Sequence, residues 1–166
     1  MAIVHLALIS IWLFLFEGKA APLPSLKVDK VVVHKSKRTL TLVSQGKVTK
    51  SYKIALGGSP VGHKQQMGDN KTPEGGYVLD WRNLKSAYYK SFHISYPNQE
   101  DRIEARQKGV SPGGDIFLHG LPKSFSFLGK FHHLYDWTLG CIAVSNDEID
   151  EILELVRDGT PIEIWP

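Results

Sequence analysis

Cysteine is almost missing: the 166 residues hold a single one, Cys141. A disulfide within the chain is therefore excluded, as is any site built from several thiolates. Charge of one sign is also scarce. The formal net charge is +3, with Lys and Arg scattered along the chain. That is too weak a bias to argue for nucleic acid. The one small basic cluster, Lys35, Lys37 and Arg38, reads as a solvated face. There is no repeat, no low-complexity tract, and no apolar run of the roughly 20 residues that a membrane-spanning helix needs. Histidines are numerous, but no spacing joins them to Cys141 or to a carboxylate in a metal-binding pattern, so no metal is expected.

What is present fits one globular domain. Hydrophobic residues make up 42% and charged residues 22% of the chain, enough apolar material for a sizeable core. The N-terminal segment stands apart. Ala2 to Phe16 is nearly all apolar, and Gly18 and Ala20 give a small-x-small pattern before Ala21-Pro22. Residues 1–20 read as a secretory signal peptide, although Lys and Arg are absent from its start. An uncleaved anchor is the other reading. Residues 21–27 are a lead-in, and a domain over 28–166 follows. Export implies an oxidising compartment, the periplasm or the cell wall, where a lone thiol is buried and inert, paired between chains, or kept for its reactivity.

The domain opens with strands. Val28 to His34 is valine-rich, and Arg38 to Ser44 alternates Leu40 and Leu42 with Thr39 and Thr41. Gln45-Gly46 turns the chain into a third strand, Lys47 to Leu56, so antiparallel hairpins are expected. The stretch from Gly57 to Gly76 is rich in breakers and reads as a long surface loop, with Gly75-Gly76 as a tight turn near a cleft. Tyr77 to Trp81, Ser91 to Ser95 and Asp115 to His119 follow as strands, with a short helix capped by Asn98 between the last two. The clearest helix runs from Ser145 to Asp158. Ser145 and Glu148 form a capping box, Ile149, Ile152, Leu153 and Val156 make the apolar stripe, and Gly159 is the stop. Pro161 to Trp165 closes the chain as a strand. The sum is a mainly β sandwich or barrel with one packed C-terminal-region helix and a short second helix.

Chemistry concentrates in Asp136-Trp137-Thr138-Leu139-Gly140-Cys141-Ile142-Ala143-Val144. A glycine before a nucleophile permits a sharp turn and lets substrate approach the backbone. It also leaves backbone N–H groups free to form an oxyanion hole. A thiol needs a base, and His119 is the best-placed histidine. It ends the apolar strand Ile116-Phe117-Leu118 and precedes Gly120. His132-His133 lies in a polar-aromatic loop, where solvation is the plainer reading and substrate contact the sharper one.

His119-Gly120 followed by Thr138-Leu139-Gly140-Cys141 resembles the signature of the L,D-transpeptidase catalytic domain, YkuD type: His-Gly, a spacer, then Ser or Thr, any residue, Gly, Cys. Lys71-Thr72-Pro73-Glu74-Gly75-Gly76-Tyr77 is similar to the family's Thr-Pro-x-Gly segment. The Asp-Trp-Thr and Cys-Ile-Ala-Val wording resembles a subgroup with a longer spacer; eighteen residues separate His119 from Thr138. The resemblance spans about Val28 to Trp165. It implies a β-rich fold, no cofactor, and peptidoglycan stem peptides as substrate. Cys141 would be the nucleophile, His119 the general acid and base, Gly120 a backbone orienter and Gly140 an oxyanion-hole donor. Thr138 would shape the turn or bond locally, with substrate contact as its other role, and Trp137 and His133 would be substrate contacts. The acyl group would pass to an amine, including that of a wall-attached protein, or to water, as in a carboxypeptidase or amidase. Thr138-Leu139-Gly140-Cys141 also faintly resembles the Thr-Leu-x-Thr-Cys of sortases. Those need an Arg downstream, where this chain has only Arg157, on the helix. A catalytically silent wall-binding module is the remaining alternative.

Overall fold

The computed structural model describes residues 27–166. The segment read as a signal peptide, and all of the lead-in except Lys27, lie outside the described residues. Eight strands, β1 (Lys30–His34), β2 (Thr39–Ser44), β3 (Lys47–Lys53), β4 (Gly75–Ser86), β5 (Tyr89–Ile94), β6 (Phe117–His119), β7 (Ile142–Ala143) and β8 (Thr160–Trp165), form one sheet in the order β3-β2-β1-β8-β4-β5-β6-β7. Helix α1 (Gln99–Gln107) precedes β6, and α2 (Asn146–Leu155) follows β7. A run of 3-10 turns over Lys123–Leu134, kinked at Gly129, occupies the stretch read as a polar-aromatic loop.

The sheet curls until its ends meet. Just past β3, Ala55 and Ala143 of β7 exchange backbone hydrogen bonds of 3.0 and 2.9 Å. Thr138 N–H donates to Leu56 O, and Gly58 N–H to Thr138 O. This closure encloses Val31, Val33, Leu40, Leu42, Leu79, Phe92, Leu118, Ile142 and Ile164. Period-two alternation puts these residues on the inner face. Helix α2 packs on β5 with Ile149 and Ile152 fully buried. Each such side chain contributes about 1.5–3 kcal/mol of burial.

Both helix starts carry the capping boxes that satisfy their first N–H groups. Ser145 pairs reciprocally with Glu148, and Asn98 with Asp101. Other expectations are corrected. The hairpins expected of the first three strands are present, β1–β2 and β2–β3 being antiparallel, but β1–β8 and β6–β7 pair in parallel. Strand β4 runs five residues beyond Trp81, to Ser86, with bulges against β5. Its outer half is mostly exposed, so no burial rhythm marks it in the sequence. Gly75 and Gly76 do not form a tight turn; they open β4, opposite Ile164 and Glu163. Helix α2 ends at Leu155 with Val156 extended, and Gly159 turns the chain into β8 instead of stopping the helix. Lys35 is no solvated residue. It is 2% exposed, and its Nζ meets Glu74 at 2.8 Å, Thr72 O at 2.9 Å and Gly62 O at 2.7 Å.

Candidate active site

Strands β6 and β7 build the site. Leu118 lies opposite Ile142 and His119 opposite Ala143, in parallel. Cys141, immediately before β7, therefore stands level with Phe117, and both Cys141 and His119 line one cleft of about 970 Å³. The resting thiol is held by backbone. Phe117 N–H donates to Sγ at 3.4 Å, and Sγ–H donates to Asp115 O at 3.6 Å rather than to His119. Burial pushes the thiol above its ordinary value, opposed by the Phe117 N–H, which favours the thiolate.

Gly140 makes the turn before the thiol. Its φ of 134° is outside the usual range of L side chains, and a Cβ there would sit 2.7 Å from Lys71 O. The turn is closed by Thr138. Its hydroxyl donates to Cys141 O at 2.7 Å and accepts from Gly140 N–H at 3.2 Å. One sequence expectation changes here. The Gly140 N–H already has a partner, so it is not a free oxyanion donor in this state. The Thr138 hydroxyl is committed to the turn, the local role read for it from the sequence. Asp136 anchors the approach to this turn: Arg38 Nη2 reaches its carboxylate at 2.6 Å, and Leu56 N–H donates to it at 2.9 Å.

His119 is 3% exposed. Its Nδ1 lies 2.6 Å from Gly120 O, a distance that fits Nδ1–H donating and leaves Nε2 as the basic nitrogen. Burial lowers the imidazole pKa to about 4, against the opposing bond to Gly120, with His132 adding to the lowering. The ring is packed by aromatics, with Tyr88 at 4.5 Å and Trp137 at 5.8 Å between centroids. Behind it, α2 clamps the strand end. Leu121 N–H donates to Asn146 Oδ1 at 2.7 Å, and a Cβ on Gly120 would meet that same oxygen at 2.7 Å. Gly120 is thus required by close approach, and its carbonyl is fixed where the ring needs it.

Trp137 lines the cleft beside His119. His133 does not: it lies half-buried in the 3-10 run outside the cleft lining, so the expected substrate contact is not supported. Its neighbour His132 is 3% exposed, with neither ring nitrogen partnered. Sequence reasoning missed Phe117 N–H, Tyr88, Lys64 and Asn146 as parts of this site. A backbone donor carries no side-chain signature, Tyr88 and Lys64 lie far from Cys141 along the chain, and Asn146 read only as the first turn of a capped helix. Among the described residues, no group of three His, Cys, Asp or Glu side chains could hold a metal ion. The arrangement can accept a carbonyl beside a thiol, with a neutral imidazole in the same cleft.

Comparison with known proteins agrees in extent with this geometry. Residues 29–164 match the L,D-transpeptidase catalytic domain, YkuD. YafK of Escherichia coli K12, provisionally named an L,D-transpeptidase, is 33% identical over 132 residues, which are 76% of this chain and 46% of YafK. The helical cell shape determining protein Pgp2 of Campylobacter jejuni superposes with a TM-score of 0.64 at 31% identity, covering 82% of this chain and 47% of Pgp2. An L,D-transpeptidase of Xylanimonas cellulosilytica shares the fold at a TM-score of 0.53 and 15% identity, over 86% of this chain and 62% of that one. The chain thus spans about half the length of YafK and Pgp2.

Proposed function

Because the chain belongs to the L,D-transpeptidase catalytic domain family, we propose that it is a cysteine acyltransferase acting on peptidoglycan stem peptides. The observation that supports this reading best is the pairing of β6 with β7, which brings Cys141 and an oriented His119 into one cleft.

In the proposed cycle, Sγ attacks a stem-peptide carbonyl that precedes a D-residue, while His119 Nε2 takes the thiol proton. The Cys141 N–H stabilises the oxyanion. Collapse breaks the C–N bond, His119 returns its proton to the leaving amine, and a thioester remains on Cys141. An incoming amine gives a cross-link or an attached protein; water gives a trimmed stem. Both ends share the same acyl-enzyme. The protein works outside the cytoplasm after export on its N-terminal apolar segment, and a mature N-terminus at Ala21 checks that part.

The pKa directions set the resting state. With imidazole low and thiol high, the pair rests neutral, and proton transfer accompanies attack instead of preceding it. Thiol alkylation by iodoacetamide therefore keeps accelerating above about pH 8.5, the ordinary thiol value. A rate plateau reached near pH 6 would reveal a preformed ion pair and refute the neutral pair. The acyl transfer itself is tested with disaccharide tetrapeptide donors. The expected result is an acyl mass on Cys141, and its absence across all donors sinks the reading.

A further inference from the structure

The cleft over Cys141 is electrostatically lopsided. Tyr88, Phe125 and Trp137 line the His119 side, and Phe125 and Trp137 pack edge to face at 5.8 Å. Among the described residues that line it there is one Lys or Arg, Lys64, and one acid, Asp115. Lys64 sits in the long loop before β4, and its side chain is 4% exposed. A buried ammonium is costly unless its hydrogens are engaged. Two of its three are: Nζ donates to Asp69 Oδ1 at 2.8 Å and to Gln66 O at 3.0 Å. Burial opposes ionisation of Asp69, but Lys64 and the N–H groups of Gln65, Gln66 and Lys71 outweigh it and hold the carboxyl at about 2. The cation is thus fixed in place by a partner that stays ionised, and its Nζ lies 6.0 Å from the centroid of the Tyr96 ring; among the described residues its third N–H has no hydrogen-bond acceptor.

We propose that Lys64 is the carboxylate-recognising residue of the cleft, binding a free carboxylate of the acyl donor through its remaining N–H. The inference rests on the acyl-transfer reading for the identity of that donor. Stem peptides carry several carboxylates, and a carboxylate entering this cleft has one fixed cation to meet. Lys64 also acts electrostatically on Cys141, favouring its thiolate, so the two groups share one electrostatic environment. A purely structural Lys64, tying its loop together, predicts no preference between a donor acid and its amide.

Binding separates these views without needing the thiol. The full chain carrying Cys141→Ala is titrated by calorimetry with a tetrapeptide donor and with analogues in which each carboxyl is singly converted to the carboxamide. One analogue is expected to bind roughly tenfold to a hundredfold more weakly than the acid, the loss of one charge-assisted hydrogen bond. Adding Lys64→Gln should abolish that difference by weakening the acid to the level of the amide, and Lys64→Arg should restore part of it. Equal affinity for the acid and every amide overturns the proposal, and this needs no Lys64 variant to fold. An equal drop for acid and amide in Lys64→Gln overturns it as well. Failure of acyl transfer shows separately, as a missing adduct on the native protein.

Discussion

Two hollows of this domain each hold a histidine among polar partners, and they differ in what is left unfinished. One, of about 740 Å³, is lined by His63, Tyr77 and Asp101. There His63 Nε2 lies 3.0 Å from Asp101 Oδ1, and its Nδ1 accepts from Glu74 N–H at 2.9 Å. The Asp101 carboxylate also accepts from Tyr77 and from Asn98 N–H. Every ring nitrogen there is spoken for. In the other hollow His119 engages Gly120 O through Nδ1, and its second nitrogen bonds to nothing among the described residues. A His–Asp–Tyr constellation looks like machinery but is closed on itself. The plainer His–Gly pair keeps a basic nitrogen for a substrate, and it shares its cleft with the thiol.

The largest effect that sharpens this contrast lies in the chemistry. Cys141→Ala should abolish thioester formation outright, since the sulfur is gone, and His119→Ala should lower it by at least about a thousandfold. His63→Ala should leave the acylation rate within a few-fold. Its effect falls on stability instead, about 1–3 kcal/mol for stripping a partner from the buried Asp101. Acylation monitored by intact mass, beside urea unfolding of each variant, reads both. A thousandfold rate loss in His63→Ala would break the comparison.

The next effect is acid lability. His119 has its pKa lowered to about 4 in the fold, from an ordinary 6.5. Between those values the unfolded chain binds the extra proton, so stability falls as pH drops from about 6.5 to 4 and is flat above that window. The shift corresponds to about 3 kcal/mol at pH 4. The buried His132, also lowered to about 4 by its burial, works in the same direction. Urea unfolding at pH 7 and pH 4 should show a smaller acid loss in His119→Gln than in the native chain. Identical losses would mean that His119 is not held neutral.

The His119–Cys141 hollow was the more legible of the two. Cys141, His119, Gly120, the Ser145–Glu148 capping box and the Asn98 cap stand out because their signals are local: a glycine beside the residue it serves, an acceptor three positions from its donor. What stayed hidden depends on long-range closure. Asp136 is fixed by Arg38, 98 residues away, and Arg38 with Lys35 read as a solvated basic cluster. The parallel pairing of β6 with β7 joins strands of three and two residues, too short for any periodicity. Strand β4 beyond Trp81 is held by its ladder with β5 and not by burial, so no apolar rhythm marks it. The His63–Asp101 hollow was invisible because its parts come from a loop, a strand and a helix start.

The smallest effect probes that second hollow alone. Tyr77→Phe removes a buried hydroxyl that donates toward Asp101 at 3.1 Å and approaches Glu74 O at 3.1 Å. Asp101 keeps His63 and Asn98, so the carboxylate is not abandoned, and the cost should be about 1 kcal/mol of stability. Acylation of Cys141 should not change, since Tyr77 lines the closed hollow and not the catalytic cleft. If Tyr77→Phe instead altered the rate or pH profile of acylation, the two hollows would be coupled through β5, which lies between β4 and β6 in the sheet. Saturated hydrogen bonding would then no longer mark the second histidine as structural.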